Sequence, residues 1–294
     1  MPRSNFLFAI ISFFCLILLY VPSLAVVVFS VNNSRYGLAW RGFTLSWYEK
    51  LFQNEYILEA AYNSLIVALI STLIATIIGT SLAIGLDRYP WSKNASRVFN
   101  LCVNLPIVVP DIIMAVALTM AFSFMRVLTD LFEVGLFTLI LAHVTFQISF
   151  VTLTVRSKLA VLDRELDLAA KDLNAVFFYS LRRVTLPLLT PAIIAGAMLA
   201  FTLSLDDFII SFFVHGPDSV TLPIYIFASL KRGITPEIHA LSTVMLVATI
   251  ILIILAEKLG THLILRSKRR VIKEVKELKK LGNTGGFADP GEPL

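Results

Sequence analysis

Residues 62–86 read YNSLIVALISTLIATIIGTSLAIGL. No charged side chain interrupts these 25 positions. A helix of about 20 apolar residues spans the hydrocarbon core of a bilayer. A helix apolar on every side needs lipid or a large protein interior around it. Five further stretches have the same character: Phe6–Ser30, Val98–Met125, Val134–Val155, Pro191–Val214 and His239–Leu265. The first apolar region is too long for a cleavable signal, and no small-residue cleavage site follows it. The reading is an all-α polytopic membrane protein with six transmembrane helices.

Composition agrees. The 294 residues are 57% hydrophobic and only 15% charged, with a mean hydropathy of +0.82. Length alone would suggest about two soluble domains, but a soluble chain could not hide that much apolar surface. Disorder, collagen and disulfide scaffolds are excluded on the same ground. The net charge of +5 sits mostly near the C-terminal end and reads as an orientation signal, not a nucleic-acid footprint. Cys15 and Cys102 lie in apolar stretches without a CxxC partner, so they read as small buried hydrophobes.

Orientation follows from Lys and Arg in the connections. Arg88, Lys93 and Arg97 lie between spans two and three, and Arg156, Lys158, Arg164, Lys171, Arg182 and Arg183 between four and five. Nine more run from Lys258 to Lys280. The other connections are poorer in net positive charge. Both termini are therefore expected in the cytoplasm. Residues 1–265 form the transmembrane part, and 266–294 a basic cytoplasmic tail. Val271, Val275 and Leu278 give that tail an amphipathic pattern suited to an anionic leaflet; from Gly282 it is expected to be disordered. Trp40, Trp47, Tyr48, Phe52 and Tyr56 in the first connection predict a short interfacial helix.

The connection between spans four and five is too long for a turn. Leu166, Ala170, Leu173 and Phe177 recur at helical spacing among charged residues, so a helix at about 163–181 is amphipathic. Its apolar face can lie on lipid headgroups or dock in a groove of a cytoplasmic protein. No GxxxxGK[ST], HExxH or GxSxG pattern occurs, so no phosphate loop, metalloprotease or hydrolase signal is present; no catalytic or metal residues are expected. His143, inside span four, reads as an interhelical hydrogen-bonding group.

Intramembrane acids carry the functional signal. Asp111 follows Pro110 in span three, and Asp206 and Asp207 fall in span five. An Asp at a helix centre costs about 2.5–3.5 kcal/mol on insertion scales. Such acids serve either as interhelical contacts or as a cation pathway. Successive helical residues point about 100° apart, so Asp206 and Asp207 are not expected to face one cavity together. Thr202 and Ser211 supply a polar neighbour on each acid's face. Pro106 and Pro110 are expected to bend span three and free its carbonyls.

The segment Asp167-Leu168-Ala169-Ala170-Lys171-Asp172-Leu173-Asn174, followed by Val184-Thr185-Leu186-Pro187, resembles the EAA loop of ABC importer permeases. That pattern is E-A-A, three residues, G, nine residues, I-x-L-P. Ala169, Ala170, Leu186 and Pro187 match; Leu168 replaces the Glu and Asn174 the Gly. Asn tolerates a left-handed turn best after Gly. NSLIVAL, LPIVVPDII, LAHVTFQISFVTLTV, LAFTLSLDDFIISFFVHGP and PEIHALST are similar to the spermidine/putrescine ABC importer permease family. The resemblance spans about residues 6–265.

The resemblance implies a type I importer permease fold in the bacterial inner membrane. It implies a second homologous permease chain, two copies of a cytoplasmic ATPase carrying ATP and Mg, and an extracytoplasmic polyamine-binding protein. Leu168, Ala169, Ala170, Asn174, Leu186 and Pro187 would couple to the ATPase, and the chain itself would be neither enzyme nor cofactor protein. Asp111, Asp206 and Asp207 would line the substrate pathway. The competing readings are an ABC permease for another solute and a secondary cation transporter. The latter predicts inverted repeats, which the two halves do not display.

Overall fold

The computed structural model describes residues 3–34, 39–162, 177–233, 236–255, 257–258 and 260–261. Most of the segment at about 163–181, including Leu168, Ala169, Ala170 and Asn174, lies outside them, as does the basic tail. The described elements are helical. Among these residues the only β pairing is an isolated bridge between Asn32 and Phe43.

In chain order the helices are α1 (Arg3–Ser30), α2 (Ser46–Gln53), α3 (Glu55–Arg88), α4 (Lys93–Val108) and α5 (Asp111–Arg126). After a 3₁₀ turn come α6 (Leu136–Leu159), α7 (Leu186–Asp206), α8 (Ile209–Val214) and α9 (Leu222–Arg232), then α10 (Pro236–Leu255). A π-helical turn, Leu181–Thr185, leads into α7. Five helices are long and apolar enough to cross a membrane, and α4 with α5 makes a sixth crossing or a re-entrant pair. The interfacial helix of the first connection is α2. Its Trp47 Nε1 donates to the Asn32 carbonyl at 2.9 Å.

The core is α3, α6 and α7. Without a hydrophobic force between helices in lipid, close approach depends on small residues. Ala68, Ser71, Ala75, Gly79 and Ala83 are buried along α3. A Cβ at Gly79 would stand 2.9 Å from the Val151 Cβ of α6, closer than side chains pack. Here α3 and α6 touch nearly backbone to backbone, and Thr152 Oγ1 reaches the Gly79 carbonyl at 3.2 Å. Below this contact Ala83, Ile84, Val151, Val155, Leu159, Leu189 and Ala200 form one apolar cluster. Val67, Ala115, Phe122, Leu139, Ala142, Phe146, Ile210 and Val214 form a second, which joins α5 and α8 to the core.

The bend expected in span three is present, with α4 and α5 meeting at 112°, and three other expectations require correction. Pro106 stays inside α4, and the bend lies at Val109–Pro110. The fifth stretch is not one helix to Val214, because the backbone turns extended at Asp207 (φ −66°, ψ 120°). Cys15 and Cys102 are exposed on the subunit surface, not buried in its core; in a bilayer, lipid or another chain covers them. Residues 222–232, read as connection, form α9, whose start carries Pro223 in the first turn where its missing N–H costs nothing.

Candidate functional site

The two helix breaks face each other. Pro106, Ile107 and Asp111 from the α4–α5 bend and Leu203, Asp206, Asp207, Phe208, Ile209 and Ile210 from the α7–α8 break line one cavity of about 500 Å³. Met114, Phe146 and Phe150 complete its wall. All three acids singled out in the sequence therefore converge. Helical geometry argued that Asp206 and Asp207 could not share a cavity; they do, because α7 ends between them.

Each break has its own cause. Pro110 offers no N–H, so the Pro106 carbonyl lacks its donor four residues on. The helix closes at Val109 N–H to Leu105 O, 3.0 Å, and restarts with Pro110 O accepting from Ile113 and Met114. Asp111 is the first residue of α5, where the positive end of a helix favours a carboxylate. It is exposed in the subunit.

At the other break Asp207 does the capping. Its Oδ1 accepts the Ile210 N–H at 3.3 Å, and its Oδ2 accepts the Ser211 N–H and hydroxyl, both at 2.8 Å. The carboxylate thus satisfies the first-turn donors of α8. The polar neighbour expected for Asp207, Ser211, is real. The one expected for Asp206 is not: Thr202 Oγ1 donates to the Met198 carbonyl at 2.9 Å. Among the described residues neither the Asp111 nor the Asp206 carboxylate has a hydrogen bond or ion pair.

Behind Asp207 runs a buried polar chain that the sequence reading did not assemble. His143 Nε2 lies 3.0 Å from Ser211 Oγ and 3.5 Å from Asp207 Oδ2. Its Nδ1 lies 2.7 Å from Ser204 Oγ. Ser204 Oγ is 3.5 Å from Ser71 Oγ, which accepts from Gln147 Nε2 at 3.0 Å. His143, Gln147, Ser71, Ser204 and Ser211 are all buried. Their signal was polarity inside spans, read singly for His143 and for Ser211 and not for Ser71, Gln147 or Ser204.

The cavity offers carboxylates, the negative C-terminal ends of α4 and α7, and the rings of Phe146, Phe150 and Phe208. Phe208 is itself braced by Phe227 at 4.6 Å between centroids. Carboxylates and aromatic faces both stabilise an ammonium group, so the chemistry suits an organic cation with apolar links. Of the residues expected to couple to an ATPase, Leu186 and Pro187 open α7. Leu186 packs against the lower core cluster. The 21 residues of α7 carry the chain about 30 Å from there to Asp206.

A family described as "binding-protein-dependent transport system inner membrane component" matches residues 75–269. The spermidine/putrescine transport system permease protein PotC of Haemophilus influenzae is 38% identical over 255 residues, 87% of this chain and 95% of that protein. The putrescine transport system permease protein PotI of Escherichia coli is 35% identical, covering 89% of this chain and 92% of that one. A chain of a solved bacterial ABC transporter, involved in import of the acidic polysaccharide alginate, superposes with a TM-score of 0.71 at 17% identity, over 88% of this chain and 96% of that one.

Proposed function

The chain belongs to the binding-protein-dependent transport system inner membrane components, among the spermidine/putrescine permeases, and from that premise we propose that it forms half of the pathway of an ATP-driven polyamine importer. The observation that carries this reading is the convergence of Asp111, Asp206 and Asp207 on one aromatic-walled cavity between two broken spans. A polyamine consists of ammonium groups joined by methylenes. Leaving water costs each ammonium its hydration, and carboxylates restore most of that loss. Asp111 and Asp206, free of other partners, meet the ammonium groups. The phenylalanines cover the methylenes. Asp207 holds the break open.

A second permease chain closes the far side of the cavity, and an extracytoplasmic binding protein delivers the substrate. Two copies of a separate cytoplasmic ATPase hold ATP and Mg and dock on the segment around Leu168, Ala169, Ala170 and Asn174. The packing of Leu186 against the core supports this end of α7 as the route from that segment to the cavity. Both termini face the cytoplasm of the inner membrane, as the Lys/Arg bias supports.

Vesicle uptake of labelled putrescine and spermidine by the reconstituted complex tests the substrate. Uptake of neither, with uptake of another solute, overturns the reading. Ala170→Glu tests docking: a charge on the apolar face of the 163–181 segment should abolish ATPase copurification while the permease still inserts. Cysteines at Lys93 and Asp218, both exposed, should label from opposite sides of the membrane. Ser219, although in the same loop as Asp218, is fully buried and would label poorly.

A further inference from the structure

The buried chain behind the cavity has a direction. Ser211 has one hydroxyl proton, and the 2.8 Å contact with Asp207 Oδ2 uses it, because a carboxylate can only accept. The 3.0 Å contact between Ser211 Oγ and His143 Nε2 therefore runs the other way, and Nε2 donates. In a neutral imidazole Nδ1 must then accept, and Ser204 Oγ at 2.7 Å is its donor. Ser204, its proton committed, can only accept; Ser71 Oγ lies 3.5 Å from both Ser204 Oγ and the Ala68 carbonyl and accepts from Gln147 Nε2. From Ser204 onward every bond points toward Asp207. The direct His143 Nε2 to Asp207 distance of 3.5 Å is too long for a good hydrogen bond, so His143 acts through Ser211.

We propose that His143 is the positioning residue of this site: by donating from Nε2 to Ser211 it orients the hydroxyl that fixes the Asp207 carboxylate on α8, which leaves Asp206 as the carboxylate of this break that meets the substrate. The proposal rests on the polyamine-pathway reading. It assigns unlike tasks to adjacent acids. It also explains why an imidazole stands fully buried between α6, α7 and α8: no other neutral side chain of that size donates at one end and accepts at the other along a rigid ring. Phe146 packs on the ring at 5.5 Å between centroids and limits its rotation.

Two measurements on the reconstituted complex test it. The first is the nitrogen spectrum of histidine-labelled wild type, with His143→Gln as the blank. The expected signal is a neutral ring protonated on Nε2. A ring protonated on Nδ1, or an imidazolium, overturns the proposal. The second is polyamine uptake by His143→Gln, His143→Asn and His143→Phe. Gln places its amide near the Nε2 position and should transport within about twofold of wild type. Asn reaches only the Ser204 side, and Phe neither, so both should lose about tenfold, as expected for one lost buried hydrogen bond. Equal uptake by Phe and wild type, or equal loss by Gln and Asn, overturns the proposal. If the wild-type complex takes up no polyamine, the functional reading fails instead, and the spectrum still decides the role of His143.

Discussion

The α4–α5 bend and the α7–α8 break present the same thing to the cavity, a helix end beside a carboxylate, but by different means. At the first, Pro110 removes a donor and its ring disfavours continuation of the helix. At the second no proline is present; Asp207 competes for the donors of Ile210 and Ser211 and starts a new helix there. One break is imposed by the backbone. The other is maintained by a side chain that can be titrated, substituted or outcompeted. The acids differ in the same way: Asp111 rests at a helix N-terminus without a side-chain bond, whereas Asp207 is fully engaged.

The sharpest test of this contrast joins the two free acids. Asp111→Asn combined with Asp206→Asn should lower polyamine uptake by about a hundredfold or more, since each contact to a charged group contributes roughly 1.5–3 kcal/mol. Assembly, followed by gel filtration, should survive. Asp207→Asn should show the opposite balance. It weakens the start of α8 by about 1–2 kcal/mol, read as a lower melting temperature in detergent, and reduces uptake less than Asp206→Asn does. Equal uptake losses for Asp206→Asn and Asp207→Asn, with no change in melting, would erase the distinction between them.

Pro110→Ala asks how far the first break depends on its proline. The restored N–H favours continuation, but α5 is also held against α8 through Ala115 and Ile210 in the same apolar cluster. A loss of uptake below about tenfold is expected, less than one full charged contact. Spin labels at Lys93 and Arg126 should report a bend close to 112°; a long, straight separation would show that proline alone bends the pair. The smallest effect belongs to Thr202→Val. Its hydroxyl serves only the Met198 carbonyl, so uptake should stay within about twofold, the range of ordinary surface changes.

The same contrast explains what the sequence could convey. Spans, the interfacial α2 and the three acids were all legible, because apolar length and intramembrane charge are properties of single segments. The bend at Pro110 was legible too, since proline acts on its own backbone. The break at Asp207 was not: LSLDDFIISFFV reads as one apolar helix, and only the side chain's choice of partner ends it. Nor was the chain from Gln147 to Asp207, which draws on α3, α6, α7 and α8. Its serines are ordinary residues until tertiary packing brings them within reach of His143 and Gln147. The pairing of Thr202 with Asp206 failed for a related reason, since an apolar environment turns a helical threonine back onto its own carbonyls.

α1 offers a last consequence, for how the protein is made. No part of its apolar window is buried within the subunit. It is moored at its C-terminal end: Ser30 Oγ meets Tyr48 Oη at 2.7 Å, and Phe29 lies 6.0 Å from the His239 ring. Its free energy is thus settled almost entirely by transfer into lipid, where each Leu, Ile, Phe or Val at mid-membrane contributes about −0.3 to −0.6 kcal/mol. During synthesis α1 needs none of the later helices to become stable. The rest of the bundle must wait, because α3 finds its place only when α6 and α7 have emerged. The first helix can therefore leave the translocon as a finished piece, while the transport core assembles from its last-made parts.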